Sequence, residues 1–281
     1  MNPSSTAPKE SVYVHNTPKA YPAVDTQHMV IGKKKQDFVI NKDFMYRLHG
    51  FPYNFLKFLF KILMVILAQP VCAVRYALRI RGRKNIREYR KMTDGKAMIS
   101  VCNHSAPWDT LMIEASQYFR FPEFPMWQDG AESTDGMMYR LAGGIVMPRS
   151  DIRGKAYAFR CMRDVLEEGK WLHVFPEAAC WPFYPAVRNF QSGTFQLAVE
   201  KGLPILPMAV KYRAPRGIYK WFKKDPNAEL RIGAPVVPDL TLPRQEAIAD
   251  LCARTRLAVM HLLGIENEEQ HTKIRETFPT Y

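Results

Sequence analysis

Two side chains suited to proton transfer stand five residues apart in the chain. His104 follows a short apolar run at residues 97–102, and Asp109 precedes apolar residues at helical spacing, among them Leu111 and Met112. An imidazole takes up a proton near neutral pH, and a carboxylate on its other nitrogen fixes the tautomer and stabilises the imidazolium. His104 and Asp109 together would therefore act as a general base and the group that orients it.

The spacing of the pair sets a geometric condition. An ideal helix would rotate positions 104 and 109 about 140° apart, so the two side chains meet only if the chain turns between them. Pro107 favours such a turn followed by a helix, because the N–H that proline lacks needs no partner in a first helical turn. The alternative is a histidine that closes a loop and an aspartate that caps a helix, and spacing alone leaves both interpretations open.

Alternating apolar strands and amphipathic helices predict one α/β domain over residues 81–264, a mixed sheet flanked by helices. The His–Asp pair stands where a strand passes into a helix, the usual position of a ligand site in an open α/β sheet. Strands are predicted within residues 79–86, 97–102, 121–127, 145–148, 171–175, 203–212 and 230–232. Helices are predicted at residues 87–92, 108–119, 136–142, 155–169, 190–202 and 243–263.

The segments outside this domain are predicted from their composition. Residues 1–50 form an N-terminal arm that is expected to be partly flexible, since residues 1–28 are rich in Pro, Ser and Thr and show little apolar periodicity. They carry no signal-peptide pattern. Three lysines at 33–35 indicate either a solvated charge run or a contact with anionic lipid. Residues 265–281 are predicted to be a polar tail.

Residues 51–80 are predicted to be a helical segment that associates with a membrane. A spanning helix needs about 20 mainly apolar residues, whereas the uninterrupted apolar run covers only residues 62–68. We therefore expect one or two helices, bent near Pro70, that lie in one leaflet. A single span and a buried helix of a soluble protein are the alternatives. Long cationic side chains that can extend to a headgroup layer are Lys57, Lys61, Arg75 and Arg79.

The formal net charge of +13 predicts an anionic partner. Membrane lipids or a phosphorylated substrate are favoured over nucleic acid, because the sequence has no zinc-finger spacing, RNP-like strand or basic zipper region. Basic and aromatic residues from Lys211 to Lys224 fit either a headgroup contact or a solvated loop. Five scattered cysteines without a CxxC pair favour a reducing compartment, so we expect the cytoplasmic face of a membrane. Nothing in the sequence sets the oligomeric state.

Four segments together resemble the motifs of the glycerolipid acyltransferases, the 1-acylglycerol-3-phosphate acyltransferase superfamily. The pattern Asn-His-(four residues)-Asp from Asn103 to Asp109 resembles the first motif, and residues 143–149, which end in Arg149, resemble the second. Val174 to Glu177 resemble the third motif, and residues 203–210 resemble the fourth. The resemblance covers roughly residues 79–240.

This resemblance implies transfer of a fatty acyl group from a thioester, either acyl-CoA or an acyl carrier protein. The implied acceptor is the hydroxyl of a lysophospholipid, such as 1-acylglycerol-3-phosphate, in phospholipid biosynthesis. It implies that His104 is the base and Asp109 its partner, with no metal, no further cofactor and no covalent enzyme intermediate. The implied acceptor-binding residues are Glu177 and Arg149, and Asn103 and Pro176 are implied to support the motifs.

The third motif departs from the family pattern. After Pro-Glu the family has glycine, a small or β-branched residue, arginine and serine, whereas this chain continues Ala178-Ala-Cys-Trp-Pro-Phe-Tyr-Pro185. The arginine that helps to bind the acceptor phosphate is therefore missing. Either Arg188 folds back to bind the acceptor in its place, or the acceptor is not a simple lysophosphatidate. The aromatic residues suit a larger or more apolar acceptor, contact with the membrane interface, or plain packing.

Three other functions compete with this hypothesis. Cys102 stands two residues before His104 and would be a nucleophile, but its apolar flank favours packing. A metal hydrolase needs three protein ligands, and only His104 and Asp109 are evident. A membrane scaffold without activity is compatible with the altered third motif, although the presence of His104, Asp109 and Glu177 argues against it.

Overall fold

A mixed β-sheet organises the chain in the computed structural model, which describes residues 20–29, 38–41, 43–117, 120–222 and 225–278. Its strands are β1 (Arg79–Arg81), β2 (Met98–Cys102), β3 (Phe124–Trp127), β4 (Gly144–Met147), β5 (Trp171–Val174), β6 (Ile205–Arg213) and β7 (Asn227–Ile232). Five of them lie in the order β1-β7-β6-β2-β5, and neighbours are parallel except for β6 and β7. The parallel pair β3–β4 is joined to β5 by a bridge between Glu123 and Leu172.

Helices cover both faces of this sheet. The N-terminal ones are α1 (Phe51–Leu63), α2 (Gln69–Tyr76), α3 (Arg83–Met92) and α4 (Asp109–Glu114), with a π-helical turn (Met64–Ala68) between α1 and α2. The next are α5 (Gln128–Glu132), α6 (Gly136–Ala142), α7 (Ile152–Glu167) and α8 (Gly193–Lys201). The last are α9 (Tyr219–Phe222), α10 (Arg244–Leu263) and α11 (Glu268–Glu276).

The central strand β2 is buried on both faces, as is typical of a parallel strand between two helical layers. Ile99 and Val101 face a core that α7, α8 and α10 complete. Met98 and Cys102 face a second core, completed by α2, α3 and α4. The carboxyl end of β2 therefore leads into His104 between the ends of its two neighbours, β5 and β6.

The predicted fold class is confirmed, and every predicted strand overlaps an observed one. The helix predicted at 108–119 is shorter, since α4 ends at Glu114, and residues 118–119 lie outside the described part of the chain. Helix α3 begins earlier than predicted, directly after Gly82. Gly82 has a φ of 84°, and a Cβ there would lie 2.1 Å from the Ile232 carbonyl oxygen, so only glycine fits this junction.

Residues 51–76 form a continuous helix that is, by length and composition, able to cross a membrane. The backbone N–H of Gln69 bonds to the Met64 carbonyl, five residues back, so a π-helical turn stands where a bend was expected. The cause is Pro70, which has no N–H and crowds the carbonyl four residues before it. The alternative of a buried core helix does not fit, because the large apolar side chains are mostly exposed: Phe51, Phe55, Leu56, Phe58, Leu59, Leu63, Ile66, Leu67, Val71 and Val74.

Parts of the arm and of the tail pack on the domain. Tyr21 is buried, stacks on Trp181 with ring centroids 5.4 Å apart, and donates a hydrogen bond to the Pro182 carbonyl. Phe278, which follows α11, contacts Tyr21 edge to face. Residues 20–29 therefore differ from the flexible arm that their composition predicted, and the tail that was predicted to be polar contains helix α11. The lysines at 33–35 lie outside the described residues.

A buried ion cluster attaches α1 to the sheet. Arg47 donates to Glu123 at 2.7 Å and to Glu168 at 2.6 Å, and the Lys57 ammonium lies 3.2 Å from Glu123. The prediction that Lys57 extends to a headgroup layer is therefore wrong, because the buried carboxylate of Glu123 needs a cation beside it. Lys61 lies over the Phe121 ring, 5.2 Å from its centroid.

The stability of this helical layer is expected to fall as the pH rises, because of Glu114. Burial raises the pKa of Glu114 from 4.5 to about 7, although the nearby Lys61 lowers it. Between these two pH values the folded state holds a proton that the unfolded state has released, so unfolding becomes easier by about 3 kcal/mol. Unfolding followed between about pH 4 and pH 8 should show this decline in the wild type and not in Glu114→Gln. An equal decline in both proteins would contradict the assignment.

Candidate active site

His104 and Asp109 meet across the turn that follows β2. The His104 Nδ1 atom lies 3.2 Å from Asp109 Oδ2. The turn allows this because the helix does not begin until Asp109 itself, the first residue of α4. The imidazole is 24% exposed, whereas the carboxylate is fully buried. The structure therefore brings together the pair identified from the sequence, with the carboxylate inside and the imidazole reaching the surface.

The Asp109 carboxylate also holds the turn in shape. Its Oδ2 accepts the backbone N–H of Ser105 at 2.7 Å and of Ala106 at 2.8 Å. Hydrogen bonds from backbone N–H groups to a carboxylate are charge-assisted. An ionised carboxylate only accepts, so Nδ1 of His104 carries the proton and Nε2 is the nitrogen left to act as a base.

Two further motif residues fix the ends of strands around this turn. The Asn103 side chain continues the pairing of β2 with β6, because its Oδ1 accepts from the Val210 N–H at 2.8 Å and its amide donates to the Val210 carbonyl at 3.2 Å. Pro176 is buried after β5, and its carbonyl accepts the N–H of Gln191 at 2.8 Å. Both contacts hold backbone in place, and the role of these residues in supporting the motifs stays a prediction.

His104 is enclosed by two side chains of the third-motif segment. Its ring stacks on Phe175, with centroids 4.2 Å apart and planes 18° apart. The Cys180 side chain lies near the imidazole. Burial disfavours the imidazolium, but the Cys180 sulfur and the Asp109 carboxylate favour it more, and the pKa of His104 is raised above its ordinary value of 6.5.

Glu177 and Arg188 form a buried ion pair next to the histidine. Glu177 Oε2 accepts from an Arg188 guanidinium nitrogen at 2.6 Å and from the His104 backbone N–H at 3.2 Å. The Arg188 guanidinium also donates to the carbonyls of Asp25, Ala179 and His104. Arg188 has thus folded back towards the third motif, which is the position that the first of the two alternatives for acceptor binding requires. Its exposed fraction is 0%, so in this conformation it positions the site and presents no open face to an acceptor.

The aromatic residues of the altered motif pack with the arm. Trp181 and Tyr184 form a buried cluster with Tyr21, and the Trp181 Nε1–H donates to the Gln27 carbonyl at 2.8 Å. The Arg188 guanidinium lies 4.4 Å from the centroid of a Trp181 ring. Of the three explanations for these residues, the structure supports packing.

Arg149 lies at the end of β4 and is engaged by carboxylates. It bonds to both Asp129 and Glu132, and its backbone N–H donates to Gln128. Its side chain is 42% exposed. Arg149 is therefore a surface cation whose charge Asp129 and Glu132 balance, and its predicted contact with an acceptor stays a prediction.

Two other groups near the histidine have no basic or nucleophilic role. Cys102 is fully buried, and burial raises the pKa of its thiol, which keeps it protonated. His173 is also buried, and burial together with the positive charge of His104 lowers its pKa to about 3. Ser100 Oγ accepts from the Trp171 Nε1–H and lies 2.7 Å from Nδ1 of His173. Among the described residues, no three His, Cys, Asp or Glu side chains could hold a metal ion.

Three residues at the site were not identified from the sequence. Phe175 stacks on His104, Cys180 lies near it, and Cys180 occupies the position at which the family pattern has arginine. Matching the residues after Glu177 one by one to the family's third motif would have identified Cys180 as the residue at the arginine position. His28 of the arm stacks edge-on against Trp127 near His104, and burial lowers its pKa. No local pattern marks His28, since it reaches the site only through the fold of the arm.

Comparison with known proteins agrees with this geometry. A sequence model of the family described as Acyltransferase matches residues 77–211. No curated protein sequence matches the chain significantly. Among solved structures, the chain is similar to the crystal structure of the 1-acyl-sn-glycerophosphate (LPA) acyltransferase PlsC from Thermotoga maritima. The identity is 19% and the TM-score 0.51, over 76% of this chain and 84% of that one, which establishes a shared fold.

Replacing Arg188 by methionine is expected to lower the free energy of unfolding by about 3–5 kcal/mol, because Glu177 would stay buried without its cation. Unfolding in detergent micelles measures the effect, and adding Glu177→Gln to Arg188→Met should recover much of it. The matched control is Arg163→Met, which breaks a more exposed pair with Glu200 and should cost under about 1 kcal/mol. Wild-type stability of Arg188→Met would show that the pair has no structural role.

Proposed function

We propose that this chain transfers a fatty acyl group from a thioester to a hydroxyl of a lysophospholipid-type acceptor; its match to the Acyltransferase family model over residues 77–211 and its fold similarity to an LPA acyltransferase support this function. The donor is acyl-CoA or an acyl carrier protein, bound as a co-substrate, and no further cofactor takes part. The acceptor is of the 1-acylglycerol-3-phosphate type, and the reaction serves phospholipid biosynthesis.

The observation that carries this proposal is the partly exposed imidazole held by a buried carboxylate at the end of β2. With Nδ1 donating to Asp109, Nε2 of His104 takes the acceptor proton as the oxygen attacks the thioester carbonyl. The imidazolium that forms is stabilised by Asp109. The departing thiol has an ordinary pKa of about 8.5, so it leaves without a dedicated acid.

The backbone N–H groups nearest to His104 do not stabilise the oxyanion. The backbone N–H groups of Ser105 and Ala106 bond to Asp109, and that of His104 bonds to Glu177. These three N–H groups are therefore already engaged by carboxylates. The oxyanion must bind to other donors that face the open edge of the imidazole.

The identity of the acceptor depends on the altered third motif. Arg188 is covered by the arm, and Arg149 is balanced by Asp129 and Glu132. This arrangement favours, as the second candidate, a lipid or other amphiphile whose headgroup does not need a buried arginine. A membrane scaffold with impaired activity is the remaining alternative, against which the intact His104–Asp109 contact argues.

Exposed apolar residues near α1 and α2 support association with a membrane surface. The helix presents its apolar side chains outward, and the loop that contains α9 adds Ile218 and Trp221, which are 70% and 91% exposed. An ion pair between Arg75 and Asp225 places this loop beside α2. We propose that the helix lies in the cytoplasmic leaflet with the loop beside it, where Trp is favoured at the headgroup level. Lys223 and Lys224 of the predicted basic patch lie outside the described residues.

Loss of the base should abolish transfer without unfolding the protein. His104→Ala is expected to lower acyl transfer at least about 10²-fold, the low end of what general base catalysis contributes. The assay uses radiolabelled palmitoyl-CoA and a panel of lysolipids with different headgroups, with protein in detergent. The control His261→Ala removes an exposed histidine at the end of α10 and should leave the rate unchanged. Near wild-type turnover of folded His104→Ala would remove His104 as the base.

Charging the apolar face of α1 should release the protein from membranes. Phe55 and Phe58 are 54% and 58% exposed, and replacing both by glutamate removes their insertion into lipid. Co-sedimentation with anionic phospholipid vesicles should weaken at least about tenfold. Val237→Glu, at an exposed apolar residue outside the helix, is the control and should bind like the wild type. Unchanged binding of the double variant would rule out α1 as the membrane contact.

A further inference from the structure

The imidazole of His104 lies flat against the ring of Phe175. The two ring centroids are 4.2 Å apart and the planes differ by 18°, so the face of one ring covers a face of the other. Asp109 holds the Nδ1 edge of the same imidazole at 3.2 Å. The two contacts restrain different motions, since the carboxylate determines which edge of the imidazole points inward and the stack determines the plane of the ring. Together they leave Nε2 in one position.

The chain around Phe175 holds its ring in place. Phe175 directly follows β5, and Pro176, whose own ring fixes its φ, comes next. The Phe175 carbonyl accepts the N–H of Ala178 at 3.0 Å. The Phe175 ring also meets the ring of His173, a buried residue of β5, with centroids 4.7 Å apart and planes at 80°. Phe175 is therefore supported by the sheet on one side while it supports His104 on the other.

A stacked phenyl ring acts differently on the two protonation states of a histidine. The π-electrons make the face of the ring negative, so a cation within about 6 Å of the ring centroid is attracted to it. His104 lies within that distance. The imidazolium gains this attraction in full, whereas the neutral imidazole gains little of it. An interaction that grows as the base takes up its proton stabilises the transition state more than the ground state, and therefore raises the rate of the chemical step.

The charges that face His104 act in opposite directions. The Asp109 carboxylate favours the imidazolium, and the positive charge of Arg188, which donates to the His104 carbonyl, disfavours it. The other titratable groups near His104 are Cys180, His28 and His173. Burial lowers the pKa of His173 to about 3, so His173 stays neutral and supports Phe175 without adding a charge.

We propose that Phe175 is a positioning residue for the base: its ring face fixes the plane of His104 and stabilises the positive charge that the imidazole acquires when it takes the acceptor proton. Phe175 has no group that can exchange a proton, so it acts only through His104. This role rests on the acyltransferase function proposed above. It adds a group that supports the imidazolium from its face, as Asp109 supports it from its edge.

The first test changes the charge of the ring face while its shape stays nearly constant. Phenylalanine with one, two or three ring fluorines is incorporated at position 175 of the full chain. Each fluorine withdraws electrons from the face, so the pKa of His104 should fall stepwise along the series. NMR of labelled histidine in detergent micelles without substrate measures this pKa, and His104→Ala assigns the signal. A ring that only fills space would leave the pKa of His104 unchanged throughout the series.

Natural residues at position 175 test the same role through the rate of transfer from palmitoyl-CoA to lysophosphatidate. Phe175→Leu removes the π-face and should lower kcat about 2–30-fold with little change in KM. The pKa of the base, read from the acid limb of the pH–rate profile, should also fall, and Phe175→Tyr should restore both values because it keeps the face.

The matched control is Phe190→Leu. Phe190 is half-buried like Phe175, but its ring stacks on Phe195, with centroids 6.1 Å apart. The control should leave kcat and the pH–rate profile unchanged. Thermal unfolding identifies any variant that fails to fold, and the fluorinated series keeps the test available if Phe175→Leu does not fold.

The outcomes separate this inference from the function it rests on. A stepwise fall in the pKa of His104 without transfer to any lysolipid would support the contact with the imidazolium and overturn the proposed function. Transfer that depends on His104 but keeps its rate and pH profile in Phe175→Leu and along the fluorinated series would overturn the inference and leave the acyltransferase intact. A slower Phe175→Leu with an unchanged His104 pKa, not restored by Phe175→Tyr, would show packing alone and would also overturn the inference.

Discussion

The carboxylate of Glu177 is buried beside the ends of β2 and β5, and a buried charge needs partners. The Arg188 guanidinium supplies the opposite charge, and the backbone N–H groups of His104 and Arg188 supply hydrogen bonds. This one pair therefore joins the end of β2 to the end of β5 and to the loop that follows. The same guanidinium bonds to the carbonyls of Asp25 and Ala179, so the arm and the Cys180 loop also depend on it.

The central part of the site could be predicted because its signals are local. An apolar run, a polar turn with a proline and an apolar helix place His104 and Asp109 at the end of β2, and the carboxyl ends of parallel strands share one edge of a sheet. The sequence left two alternatives open, and in one of them Arg188 folds back towards the third motif. Its burial under the arm was not predictable, because the contact between Asp25 and Arg188 spans 163 residues and no pattern near either residue announces it.

Predictions from the sequence failed for residues whose tertiary contacts override the environment that their residue type usually prefers. A lysine on an apolar helix normally extends to water or headgroups, yet Lys57 is buried beside Glu123. A cysteine among aromatic residues is typical of packing. The sequence therefore did not identify Cys180 as a neighbour of His104. In both cases the side chain's chemistry is set by a partner that is distant in sequence.

The position of α4 relates the site to the exposed apolar helix. The helix begins at the buried Asp109, α2 packs against it, and Glu114 at its other end lies near Lys61 of α1. The six residues of α4 span about 9 Å. The distance from His104 to the apolar helices α1 and α2 is therefore on the order of 10 Å. The Arg47–Glu123–Lys57 cluster fixes α1 to the sheet, which makes this separation a property of the fold. On the proposed function, an acceptor whose acyl chain stays in the leaflet can bring its hydroxyl to His104 without leaving the membrane.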